Sequence, residues 1–170
     1  MKNFFKALAV LLLLTGAMPA SGQDNVIYPF PLLHETAEIW GYAYDYDRNK
    51  QCINYSFQEA DQFNPKTGLA LVRFDGYAGA IDVGGNFVIE PVYDRIIYQT
   101  YSNTYVVELN GKYGEVNRYG ELIKPIQFDS LSAQPKTGWY EYQIGDEYFY
   151  LAPNGHVTKD WGEYLNAPSE

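Results

Sequence analysis

Residues 79–94 read GAIDVGGNFVIEPVYD, and the same design returns 35 residues later. Gly79-Ala80-Ile81-Asp82 leads into Val83-Gly84-Gly85-Asn86 and then Phe87-Val88-Ile89. The counterpart is Gly114-Glu115-Val116-Asn117, then Arg118-Tyr119-Gly120, then Leu122-Ile123. A further copy runs from Tyr150-Leu151 into Ala152-Pro153-Asn154-Gly155. Ile81, Val116 and Leu151 share one column; Phe87, Leu122 and Val157 share another. A period of this length marks a repeat architecture, in which each unit buries its apolar face against its neighbours.

Within the unit, glycine supplies the positive φ of a tight turn. Pro91 and Pro125 belong at strand ends or edges, because proline cannot donate to a ladder. Ala70, Val72 and Phe74 alternate with their neighbours, as do Tyr105, Val107 and Leu109, and Tyr140, Tyr142 and Ile144. Period 2 held through three units predicts half-buried strands. Asp75-Gly76 and Asn110-Gly111 predict hairpin turns between them. The expected fold is all-β: about four antiparallel β-meander units of 35 residues, roughly 33–75, 76–110, 111–145 and 146–170, stacked in an open array. A small propeller-like ring is the alternative closure. His34 to Ile39 and Phe57 to Phe63 are each long enough for one helical turn. The recurring Asp82, Asp94 and Asp129 are expected to bond turn N–H groups.

Trp40-Gly41-Tyr42, Gly68-Leu69-Ala70-Leu71-Val72, Gly79-Ala80-Ile81-Asp82 and Val88-Ile89-Glu90-Pro91-Val92-Tyr93-Asp94 resemble the units of the WG-repeat family. So do Lys112-Tyr113-Gly114 and Pro125-Ile126-Gln127-Phe128-Asp129. The resemblance covers about residues 33–158. Ala78 stands where the pattern has an aromatic residue, Phe149 where it has glycine, and the first unit carries about three extra residues after Gly41. The resemblance implies a β-repeat protein, often exported. It brings no catalytic residue and no cofactor with it.

The chain of 170 residues opens with Lys2 and Lys6, an apolar run from Ala7 to Leu14, and Ala20-Ser21-Gly22. This order predicts a secretory signal peptide over 1–22, too short to span a bilayer. Cleavage before Gln23 leaves a single domain, 23–170, and an exported, periplasmic or secreted protein. Loss of two lysines takes the net charge from −9 to −11. Such a chain repels nucleic acid and anionic membranes. Cys52 is the only cysteine, so no internal disulfide can form; a small buried hydrophobe is its expected role.

Reactive constellations are scarce. Asp45-x-Asp47-x-Asn49 opens like a calcium loop, but Lys50 and Ser56 stand where that loop needs Gly and Glu, so a polar turn is expected. His34 and His156 lack metal-ligand spacing. The chain is therefore expected to have no catalytic, cofactor or metal residues and to be a non-catalytic interaction module of the cell envelope. Its 17 tyrosines are the compositional outlier. Tyr42, Tyr44, Tyr46, Tyr98 and Tyr101 serve no apolar column and are candidate contacts for a protein or glycan partner. A carbohydrate-binding module using these rings is the alternative, and an envelope hydrolase using acids in a groove between units is the third reading.

Overall fold

The structure is a computed structural model that describes residues 27–34, 36–44, 51–133 and 138–166. The expected leader, Tyr46 and the Asp45-x-Asp47-x-Asn49 motif lie outside the described residues. Four antiparallel sheets follow one another along the chain. The first joins β1 (Phe30–Leu33), β2 (Trp40–Ala43) and β3 (Gln51–Phe57). The second joins β4 (Glu59–Ala60), β5 (Ala70–Phe74), β6 (Tyr77–Ile81) and β7 (Phe87–Tyr93). The third joins β8 (Arg95–Gln99), β9 (Thr104–Leu109), β10 (Lys112–Val116) and β11 (Leu122–Phe128). The fourth joins β12 (Ser130–Ala133), β13 (Tyr140–Ile144), β14 (Glu147–Leu151) and β15 (Val157–Thr158), and a helix α1 (Trp161–Leu165) follows. Each sheet is a meander, and none closes into a barrel.

The sheets start at Glu59, Arg95 and Ser130, whereas the expected unit boundaries fall inside the β5–β6, β9–β10 and β13–β14 turns. A period sets the length of a unit but not its origin. The origin is set where the chain crosses between sheets, at Gln58, Asp94 and Asp129. Their backbone N–H groups donate to the carbonyls of Arg73, Glu108 and Gln143. Their side chains accept from the turn N–H of Gly76 at 2.7 Å, Asn110 at 2.7 Å and Gly145 at 2.8 Å. Asp94 and Asp129 thus clasp hairpin turns, as their recurrence predicts. Asp82 likewise accepts from the N–H of Gly84 and Asn86.

Two local expectations need correction. Phe57 to Phe63 holds the end of β3 and all of β4, because Glu59 and Ala60 pair with Arg73 and Val72; sheet pairing overrides local helix propensity. Cys52 is exposed rather than buried, since alternation along β3 sends Ile53 and Phe57 inward and Cys52 outward. Between Leu33 and Trp40 the chain makes a turn at Thr36-Ala37, whose N–H groups point at His34 Nδ1.

Every substantial contact between sheets joins consecutive ones, as in an open stack. Tyr42, Ile53 and Phe57 meet Phe63, Ala70, Val72 and Ile81 between the first and second sheets. Leu69, Ala78, Ala80 and Ile89 meet Ile96, Tyr105, Val107 and Val116 between the second and third. Val106 and Phe128 meet Leu131, flanked by Tyr113, Tyr140 and Tyr142, between the third and fourth. Adjacent residues Val106 and Val107 therefore serve opposite interfaces, which is why β9 is buried on both faces. Tyr164 of α1 closes the far end against Trp139 and Tyr150.

The glycine of the Trp-Gly pattern has a steric cause. A Cβ on Gly41 would lie 2.6 Å from the carbonyl oxygen of Ile53; on Gly79, 2.9 Å from that of Ile89; on Gly114, 2.9 Å from that of Lys124. Each glycine sits beside a register shift where the next strand bulges toward it. In the fourth sheet β15 pairs only with Tyr150 and Leu151, so it does not pair across from position 149. Phe149 stacks on Tyr142, with ring centroids 5.2 Å apart.

The third interface departs from the second in chemistry. Leu69, Ala80 and Ile89 line the second; 35 residues on, Thr104, Glu115 and Lys124 take their places. Glu115 is fully buried. Its carboxylate accepts from the Thr104 hydroxyl, the Lys124 ammonium and, at 2.8 Å, the Tyr140 hydroxyl of the fourth sheet. Lys124 Nζ also stands 3.5 Å from the Tyr140 ring centroid. Burying this pair is tolerable only because each member is held.

Two measurements test this account. Gly114→Ala is expected to lower unfolding stability in urea by about 1–3 kcal/mol, as overpacking does. Lys124→Met, which leaves Glu115 unpaired, should cost about 3–5 kcal/mol, whereas the combined Thr104→Leu, Glu115→Ala, Lys124→Ile variant should recover most of that loss. A combined variant no more stable than Lys124→Met would contradict the column equivalence.

Candidate functional site

The Glu115 cluster is rich in ionisable groups but sealed: Glu115 is 0% and Lys124 17% exposed at the side chain. The accessible feature lies one interface earlier. Between the second and third sheets a partly open cavity of about 180 Å³ is lined by Glu59, Asp61, Leu71, Arg73, Ala78 and Ile96, among others. A smaller cavity of about 100 Å³ shares Asp61 and Leu71 with it and reaches Tyr98 and Tyr105. The two lie side by side along the junction, with Asp61 and Leu71 between them.

Strand register explains the lining. Glu59, Arg73 and Ala78 are cross-strand partners in one row of the second sheet. Leu71 and Ala80 form the next pair, and the N–H of Asp61 donates to the carbonyl of Leu71 at 2.9 Å. Alternation turns both rows toward the third sheet, where Ile96 of β8 faces them. The floor is therefore apolar and the rim charged. Arg73 Nε pairs with Glu59 at 3.2 Å, and its guanidinium donates to the carbonyl of Gly76 at 2.7 Å. Arg95 pairs with Glu108 at 2.9 Å and donates to the Tyr113 hydroxyl at 3.0 Å. Burial, reinforced by the charge of Glu59, raises the Asp61 carboxyl above its ordinary value. In the lining of the smaller cavity Tyr105 shares a hydrogen bond of 2.6 Å with Thr67, and burial pushes its phenol up.

The candidate tyrosines separate. Tyr42 is fully buried, packs on Phe57 and Phe63 and donates to the carbonyl of Asp61 at 2.7 Å. It serves an apolar column after all, because β2 is the middle strand of its sheet. Burial raises its phenol well above the usual range. Tyr44 and Tyr101 are exposed, at 52% and 58%. Tyr98 lines the smaller cavity, packs on Tyr105 at 5.4 Å and donates to Asn103 at 2.7 Å. Tyr98 and Tyr101 share the β8–β9 hairpin; among the described residues no ring contact joins Tyr44 to either.

Sequence reasoning identified the aromatic missing at position 78 but did not read a cavity from it. It did not single out Glu59 and Asp61, which do not recur: the same columns hold Asp94 and Ile96 in the next unit. Non-recurrence was the signal that could have found them.

A carboxyl whose folded-state value lies above its unfolded one binds its proton more tightly in the folded chain. Stability from such a group is present below the interval and falls as pH rises through it. Asp61→Asn should therefore gain in urea midpoint on the unmodified protein as pH rises above 3.8 through the raised Asp61 titration, with parallel curves elsewhere. Midpoints that keep a constant offset across that range would contradict the raised proton affinity of Asp61.

Residues 79–113 match the family model described as WG containing repeat. No curated protein and no solved structure matches the chain significantly. The match spans one full period, from the crowded glycine of β6 to Tyr113 of β10, and the same register continues on either side of it. Residues 79–113 thus form a unit of the WG-repeat kind, and the fold repeats that unit along the chain.

Proposed function

We propose that this repeat-type binding module is an exported, non-catalytic protein of the cell envelope, and that it takes a segment of a partner protein into the cleft between its second and third sheets. The observation that carries the reading is the cleft itself: an apolar floor of Leu71, Ala78 and Ile96 under a charged rim of Glu59, Asp61 and Arg73. Interaction sites combine an apolar centre with a polar rim in this way. Export rests on the order of basic, apolar and small residues over 1–22.

A hydrolytic reading has one observation in its favour, the two carboxyl residues Glu59 and Asp61 in one cleft, the second with a raised proton affinity. Against it, Arg73 already engages Glu59, and the cavity has room for about one ring rather than a sugar chain. Glycan binding by a tyrosine face gains little from rings as separate as Tyr44 and Tyr101.

Site-specific photo-crosslinking in envelope extracts tests the proposal. A benzophenone residue at Gln62, on the rim, should capture a discrete partner; the same residue at Val83, in the β6–β7 turn outside the cleft, should not. Equal capture at both positions, or none at Gln62, would overturn it.

A further inference from the structure

The cavity occupies a particular place in the repeat. Leu71, Ala78 and Ile96 line it in the second interface. Advanced by 35 residues, these positions become Val106, Tyr113 and Leu131. In the third interface those three residues pack together, with the Tyr113 ring lying against the cluster that holds Val106 and Leu131. In the first sheet Trp40, the corresponding aromatic, packs against the cluster facing the second sheet. In the fourth, Tyr148 has no following sheet and stands 49% exposed. The rings of the first and third sheets lean toward the next sheet, and only the second sheet lacks one at this position. The cavity is the unfilled place of that ring. Protein interiors hold few voids larger than a water molecule, and an apolar cavity of about 150 Å³ accepts benzene. A space of about 180 Å³ fits one aromatic side chain.

The rim refines the choice of ring. In the third sheet the row reads Arg95, Glu108, Tyr113, and Arg95 donates a hydrogen bond to the phenol oxygen. In the second sheet the charges are exchanged, so the row reads Glu59, Arg73, Ala78. An acceptor, Glu59, now stands where the third sheet has a donor, and Asp61 adds another carboxylate at the mouth. This arrangement favours a ring carrying an O–H or N–H over a bare phenyl.

We propose that the Ala78 cavity is a seat for a tyrosine or tryptophan side chain presented by an extended segment of a partner protein, which completes the row of aromatic residues that the chain itself leaves open. This deepens the reading of the cleft as an interaction site and rests on it. The partner ring buries its face on Leu71, Ala78 and Ile96 and donates its polar hydrogen to the carboxylates at the rim. A ring of this kind is the sort of anchor that dominates protein interfaces.

The test is a titration of the full chain with N-acetyl-tyrosinamide, N-acetyl-tryptophanamide and, for comparison, N-acetyl-phenylalaninamide, followed by amide NMR shifts. The first two should give saturable shifts at Leu71, Ala78 and Ile96, and the third weaker ones. Ala78→Tyr restores the ring of the third sheet; it should abolish these shifts while keeping or raising the thermal midpoint. Ala78→Leu, which fills part of the space, should weaken them. Shifts that persist unchanged in both variants, or that are absent with the unmodified protein, overturn the seat. If they are absent while the Gln62 crosslink remains, the cleft stands as an interaction site without an aromatic anchor; if both are lost, both readings fall. A phenylalaninamide response equal to that of the other two would overturn the role given to Glu59 and Asp61.

Discussion

A four-stranded meander has no interior of its own, so it is stable only if another layer covers its apolar surface. Everything else in this protein answers that constraint. Successive sheets cover one another, and adjacent residues such as Val106 and Val107 are assigned to opposite interfaces. The end of the stack is closed by α1, whose Asp160 cap accepts from the N–H groups of Gly162 and Glu163 and whose Tyr164 stacks on Tyr150 at 4.5 Å. The glycines of the Trp-Gly pattern follow from the same need. They let a bulged neighbouring strand approach closely, and the bulge reshapes each sheet at the point where its ring leans on the next.

Because every unit uses the same columns, differences between interfaces reduce to substitutions at equivalent positions. At three columns the second interface holds Leu69, Ala80 and Ile89, where the third carries Thr104, Glu115 and Lys124. Tyrosine hydroxyls bridge both, Tyr105 to Thr67 in one and Tyr140 to Glu115 in the other. A repeat protein whose interfaces were identical could stack its units out of order. The buried Glu115–Lys124–Tyr140 contact distinguishes one interface from its neighbours, at a cost in desolvation that its hydrogen bonds offset.

Much of the fold was legible in the sequence. Gly85, Gly120 and Gly155 placed turns, the alternation at 70–74 and 105–109 placed strands, and the spacing of Asp94 and Asp129 placed the clasps on the hairpins. Tyr42 and Cys52 were misread because burial depends on strand order and on which face a bulge leaves inward, and neither is a local property. The candidate site was half legible. Ala78 stood out as a missing aromatic, but Glu59, Asp61, Arg73 and Ile96 come together only where two sheets meet.

The sequence by itself determined the period, the turns and the alternating faces, because these depend on residues a few positions apart and on backbone geometry common to all chains. The tertiary structure alone decided the phase of the units, the burial of Glu115 and Lys124, and the cleft at Ala78. Those depend on which face of one sheet meets which face of the next, and a missing ring becomes a cavity only when the opposing sheet is in place to bound it.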